Sequence, residues 1–287
     1  CYARSGLLSD VQLYEDYPAS YSADVNRRYR WIRGDWQIAT WLLPRVPGLD
    51  GRPRKNPLSA LSRWKLADNL RRSLAPAALT LLLVLGWTVM ASPGFWTLVV
   101  LGILLIPALA TSLLNVLRKP GDVRWGQHLA AAARSTGQHL AQAAFSLVCL
   151  PYEAFFSLDA MIRTFWRLRV SHQRLLEWTS SGDLDRQRRR DLVAFHRMMG
   201  VAPALAVVTA LGLALAKPMV LSVAAPILLL WLASPALAWW MSRPLTRHGS
   251  RLTADQTRFL RTVSRKTWAF FETFVGPEDY WLPPDNV

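Results

Sequence analysis

The chain has 287 residues, 52% hydrophobic and only 18% charged, with a net charge of +15. A soluble domain carries about a quarter charged residues, which disfavours an ordinary water-soluble globule. The two cysteines, Cys1 and Cys149, are too few for a disulfide framework or a CxxC metal site, and the basicity leaves three partners open: nucleic acid, anionic lipid headgroups or an anionic substrate.

The chain opens without an initiator Met or signal peptide and closes on Pro283-Pro284-Asp285-Asn286-Val287, so it reads as a piece of a longer protein. Its first informative stretch is Asn26-Arg27-Arg28-Tyr29-Arg30-Trp31-Ile32-Arg33-Gly34-Asp35-Trp36-Gln37. Arginine can clamp a diphosphate with two parallel hydrogen bonds, and tryptophan offers a face on which a sugar ring stacks. A solvated basic face or a lipid-binding patch fits the same density of arginine, and density alone favours that simpler reading. Residues 1–50 are assigned to the end of a cytoplasmic domain carrying this cluster, and 51–72 to a linker or interfacial helix.

From Ser73 to Leu117 no residue is charged, and the run breaks only at Ser92-Pro93-Gly94. A bilayer core needs about 20 apolar residues per helix, so the run divides into spans near 74–91 and 95–117. Residues 118–198 are basic and helical in pattern. His139 to Leu158 is apolar enough to suggest a further span, but it holds Pro151, Glu153 and Asp159, and it is assigned to a helix in the interface or packed on the hairpins. Cys149 packs there as a small apolar side chain. Leu158 to Leu176 alternates Ile162, Phe165, Trp166 and Leu168 with arginines, the pattern of an amphipathic helix at headgroup level, where the 14 tryptophans of the chain are also at home.

Met199 to Ser242 repeats the first pattern with one charge, Lys217, and divides into 200–216 and 219–241. Buried helices of a soluble protein would show a polar stripe, and Leu79–Val89 and Ile227–Leu232 show none. Every Lys and Arg except Lys217 then falls on one side of the bilayer, which places both termini and the central loop in the cytoplasm. This topology accounts for the basic residues and removes nucleic acid as a partner. Residues 243–287 are expected to begin a further cytoplasmic domain, with a helix over Ala254–Phe274. The fold expected is mostly α: a polytopic membrane protein fragment with four transmembrane helices in two hairpins, amphipathic interfacial helices, and short cytoplasmic ends belonging to flanking domains.

Arg27-x-x-Arg30-Trp31 resembles the Q/R-x-x-R-W motif of processive, membrane-embedded family 2-like glycosyltransferases such as cellulose and hyaluronan synthases. Tyr21-Ser22-Ala23-Asp24 through Gln37, and the opening Cys1-Tyr2-Ala3-Arg4-Ser5-Gly6, resemble the cyclic β-1,2-glucan synthases more narrowly. So do Leu252-Thr253-Ala254-Asp255-Gln256, Thr267 to Val275 and Glu278 to Asn286, which look like the passage of those synthases into a glucoamylase-like transglycosylase domain. The resemblance covers essentially the whole chain. It implies an enzyme that polymerises glucose from UDP-glucose, with a divalent metal, magnesium or manganese, held outside this chain. A later domain would cyclise the glucan and a phosphorylase-like domain trim it, giving a periplasmic product from an inner-membrane enzyme of Gram-negative bacteria.

Carried over residue by residue, the resemblance places Arg27 and Arg30 at the diphosphate and Trp31 at the acceptor glucose, with Arg28, Arg33, Asp35 and Trp36 as further substrate-binding candidates. The family's acidic metal site and catalytic base are absent, no catalytic residue is assigned, and the chain alone is expected to be inactive. Glu15-Asp16 lies too close to the motif to be that base and is read as local structure. His128 and His139 lack metal-ligand spacing. Two other classes stay open. One is a non-catalytic scaffold or translocation module on anionic lipid, and another polysaccharide synthase also fits the motif. A transporter is disfavoured by the single ionisable residue in the spans.

Overall fold

The computed structural model describes residues 17, 18, 20–48, 52–175, 191–243, 252–277, 281 and 282. Cys1–Gly6, Glu15-Asp16, Arg186–Arg190 and, but for Trp281 and Leu282, the motif Glu278–Asn286 lie outside the described residues. The chain divides into two compact units, 1–243 and 244–287.

In the first unit, α1 (Tyr21–Gln37) is capped by Ser20, whose side chain accepts from the backbone N–H of Ala23, and Asp24 in its first turn complements the helix dipole. A 3-10 turn (Ala39–Leu42) leads to a two-stranded antiparallel ribbon, β1 (Arg45–Pro47) and β2 (Pro53–Lys55), which pairs Val46 with Arg54. Asn56 closes this corner by donating to the carbonyls of Trp41 and Leu43.

The apolar helices follow. α2 (Ala60–Thr88) is capped by Ser59 and runs unbroken from the polar linker into the first apolar run. Its polarity changes at Ser73, but its backbone does not. Ser92 turns the chain in left-handed conformation (φ 59°), and Pro93 then starts α3 (Pro93–Leu117). Gly86 of α2 is required here: a Cβ at that position would meet the Cβ of Trp96 at 2.7 Å. Trp87 fastens the turn by donating to the hydroxyl of Thr97 at 2.9 Å.

α4 (Trp125–Trp166) has 42 residues and ends in a wide turn over Arg167–Ser171. α5 (Leu192–Met199) and α6 (Val201–Ala216) meet at Gly200 with a bend of 61°. A short turn over Pro218–Val220 precedes α7 (Leu221–Met241).

Among the described residues, four helices are long and apolar enough to cross a membrane: α2, α3, α7 with its preceding turn, and α4 with its following turn. The bent pair α5–α6 reaches that length jointly and would make a fifth. This is a multi-pass membrane protein, mostly α, with the expected number of candidate spans, but the set differs from the expected one. α6 has 16 residues, so the stretch 200–216 qualifies only with α5. The segment 139–158, expected as an interfacial or packed helix rather than a span, lies within α4, one of these four candidates, and is packed as well. Leu147 and Leu150 share a buried cluster with Leu83 and Trp87 of α2, Val100 of α3, Ala206 and Leu213 of α6, and Ile227 and Trp231 of α7. Of the amphipathic stretch 158–176, residues 158–166 are the end of α4 and 167–171 the turn that follows it, rather than a separate helix.

Proline explains how α4 and α7 stay continuous. Pro151 lacks the N–H that would bond the Leu147 carbonyl, and the indole N–H of Trp231 on α7 donates to that carbonyl instead, at 3.0 Å. Pro235 frees the Trp231 carbonyl in the same way, and the Ser234 hydroxyl donates to it at 2.8 Å.

The second unit holds α8 (Ala254–Phe274), with the bounds expected from sequence. Thr253 and Gln256 form a reciprocal capping box. Phe259, Val263, Phe270 and Phe274 share one face of α8, and Arg258, Arg261 and Arg265 the other.

Candidate functional site

α1 lies along the C-terminal half of α4, and the contacts advance in step on both helices, so the two run parallel. Tyr21 meets Phe145 edge-on at 5.3 Å, Arg28 pairs with Glu153 at 2.6 Å, the Tyr29 hydroxyl donates to Asp159 at 2.7 Å, and Trp36 packs edge-on against Phe165 at 5.3 Å. Asp159 also binds Arg163 one turn later. Burial pushes the Tyr29 phenol up to about 12, and its hydrogen bond to Asp159 adds to the shift. Burial opposes the charge on Arg28, but the Glu153 carboxylate more than offsets it and its pKa rises.

Where α1 also meets α2, a cavity of about 620 Å³ opens. Its walls are Arg28, Arg30, Trp31 and Asp35 of α1, Asn69, Arg72 and Pro76 of α2, and Glu153 and Phe156 of α4. The volume falls within the range of small-ligand sites, about 300–1,000 Å³. Trp31 is 59% exposed beside it. Asn69 donates to the Asp35 carboxylate at 3.2 Å. Burial raises the Asp35 pKa above the ordinary carboxylate value, against the pull of that hydrogen bond and of the Arg72 charge.

The seven residues singled out from sequence therefore part company. Arg28, Arg30, Trp31 and Asp35 line the cavity. Arg27 flanks it, bound to Asp24 at 2.8 Å with its guanidinium 4.9 Å from the Trp31 ring centre, which steadies that exposed indole. Arg33 is buried and donates to the Arg174 carbonyl at 3.0 Å, while Gln37 donates to Leu175. Trp36 donates to the Ser73 hydroxyl at 2.9 Å, tying α1 to α2. Arg33 and Trp36 fix the helix to its neighbours and do not line the cavity.

Sequence reasoning did not assign Arg72, Asn69 or Glu153 to the site. The signal for Glu153 was present: it and Asp159 are the acids of an otherwise apolar stretch, and acids in such a setting need basic partners. Among the described residues, no three His, Cys, Asp or Glu side chains are grouped so that they could hold a metal ion.

Fold and cavity together define a multi-pass helical membrane protein with a basic and aromatic pocket beside the start of its first apolar run. No protein-family profile matches the chain. It is 33% identical over 288 aligned positions to the cyclic beta-(1,2)-glucan synthase NdvB of Rhizobium meliloti (strain 1021). That alignment takes in 99% of this chain and 10% of the relative. The chain is thus related, along essentially its whole length, to an internal part of a cyclic β-1,2-glucan synthase, and spans about a tenth of that protein.

Proposed function

We propose that this chain is the membrane region of a processive glycosyltransferase that polymerises glucose from UDP-glucose into cyclic β-1,2-glucan, in the bacterial inner membrane with the arginine helix and both ends in the cytoplasm. One observation carries the reading: Arg30 and Trp31 of the R-x-x-R-W motif line one cavity with Arg72, beside the start of the first apolar run. The name of the relative supplies the product class.

In this reading Arg30 neutralises charge on the diphosphate as the nucleotide departs, and Trp31, held by Arg27, presents its face to the acceptor glucose. The described residues offer no donor set for a divalent metal, so that ion would be held elsewhere in the longer protein.

The test is incorporation of labelled glucose from UDP-glucose by the full-length protein in membrane vesicles. Arg30→Ala and Trp31→Ala are each expected to lower incorporation at least about tenfold, the loss of one charge-assisted or stacking contact. Unchanged synthesis would remove the site assignment. Cysteine labelling that placed Arg27–Trp31 in the periplasm would remove the topology. Membrane binding that follows lipid charge, with no effect of UDP, would favour a lipid-anchored scaffold.

A further inference from the structure

We infer that Arg72 of α2 is a second cation of the diphosphate pocket, acting with Arg30 from the opposite helix; the inference rests on the reading above. Three guanidinium groups line the cavity, and the structure separates their roles. Arg28 is committed to Glu153 at 2.6 Å, a carboxylate whose side chain is only 12% exposed, so its charge is already matched from inside the bundle. Arg72 is held differently. Its partner is Asp68, one turn earlier on the same helix, and its side chain is 67% exposed. Asp68 also binds Arg71 through its other oxygen, at 2.8 Å and 3.1 Å. If Arg72 turns toward an anion, Asp68 keeps a two-point partner, so the exchange leaves no carboxylate unpaired.

Position adds to this. Arg72 stands one residue before Ser73, where α2 turns apolar, and its charge is felt by Asp35 in the facing wall. A diphosphate diester carries two negative charges. Arg30 and Arg72, on different helices, offer one cation to each, and guanidinium suits the planar two-point contact. The Asn69 amide, three residues before Arg72 on α2, is spent on the Asp35 carboxylate. The alternative role for Arg72 is that of a basic flank bound to lipid phosphate, which shares the chemistry but not the ligand.

The test uses the full-length protein in nanodiscs made wholly of zwitterionic lipid, with UDP as the probe. Arg72→Gln is expected to weaken UDP binding and raise the KM for UDP-glucose by about tenfold, the worth of one charge-assisted hydrogen bond, while thermal unfolding is unchanged. Arg72→Lys should recover part of the loss, because a point charge replaces a fork. Equal UDP affinity in wild type and Arg72→Gln overturns the inference, as does a loss seen only in nanodiscs containing anionic lipid. Arg30→Gln in parallel separates the levels of failure. If it abolishes UDP binding and Arg72→Gln does nothing, the pocket stands and Arg72 is not part of it. If neither matters, the pocket itself is misassigned.

Discussion

Replacing Trp231 by Phe removes one hydrogen-bond donor from the centre of the bundle. Pro151 has already deprived the Leu147 carbonyl of its helical partner, so the substitution leaves that carbonyl unsatisfied where no water reaches. An orphaned buried acceptor costs about 1–3 kcal/mol, and interhelical hydrogen bonds inside membranes couple by about 0.6–1.7 kcal/mol. The ring also contacts Trp87 at 5.7 Å, and Phe loses part of that packing, so the single variant overstates the bond. A double-mutant cycle with Pro151→Ala isolates it. Alanine restores the backbone N–H that reaches Leu147, after which the indole donor is redundant. Trp231→Phe should therefore cost about 1 kcal/mol less in the Pro151→Ala background than in the natural one. Steric trapping across α4 and α7 in a bilayer reads the required free energies. Strict additivity, within the usual error of about 0.3–0.5 kcal/mol, would refute the account of how α4 survives its proline.

Other outcomes follow from the same contacts. Gly86→Ala should destabilise the α2–α3 turn by about 1–3 kcal/mol through overpacking on the Cβ of Trp96, measured by thermal unfolding. Glu153→Gln leaves the Arg28 charge with Asp24 alone, at 3.7 Å, and should cost about 2 kcal/mol, below the roughly 3–5 kcal/mol of a broken fully buried pair because Arg28 is one-third exposed; a joint Arg28→Met and Glu153→Met change should recover most of it. Asp35 has a raised pKa, so its protonation favours the folded state: that contribution is complete below the ordinary carboxylate range and is lost as pH rises through the raised value. Asp35→Asn should therefore be stabilising at neutral pH and neutral in acid. On the proposed function, protonation of Asp35 should raise UDP-glucose affinity as pH falls, and Asp35→Asn should flatten that rise.

The apolar runs were legible because nothing competes with twenty uncharged residues for a place in lipid, and α8 was legible to the residue because Thr253 and Gln256 cap it reciprocally. Boundaries failed where tertiary contacts override local signals. Ser73 marks a change of polarity that reads as a change of element, although no backbone signal interrupts α2 there. Pro151 argues against a continuous buried helix until Trp231, 80 positions later, supplies the missing donor. The arginine and tryptophan cluster marked the helix that walls the cavity, but the sequence alone did not sort its members. Arg28 faces inward because Glu153 waits on α4, and Arg33 leaves the pocket because the Arg174 carbonyl claims it. Arg72 was indistinguishable from any other basic flank of a membrane span, since its role depends on the proximity of Asp35 and Asn69 in space.

The parallel alignment of α1 on α4 has a mechanical consequence. With 42 residues, α4 is a rod about 63 Å long, twice the thickness of a hydrocarbon core. α1 is riveted to its far half at four points, from Tyr21 to Trp36. Pivoting that rod by about 10° would sweep one end through about 11 Å relative to the other at its full length. A rearrangement among the lipid-facing helices would thus reach the pocket at Glu153, about 42 Å along α4, as a displacement of about 7 Å, without any loop having to relay it.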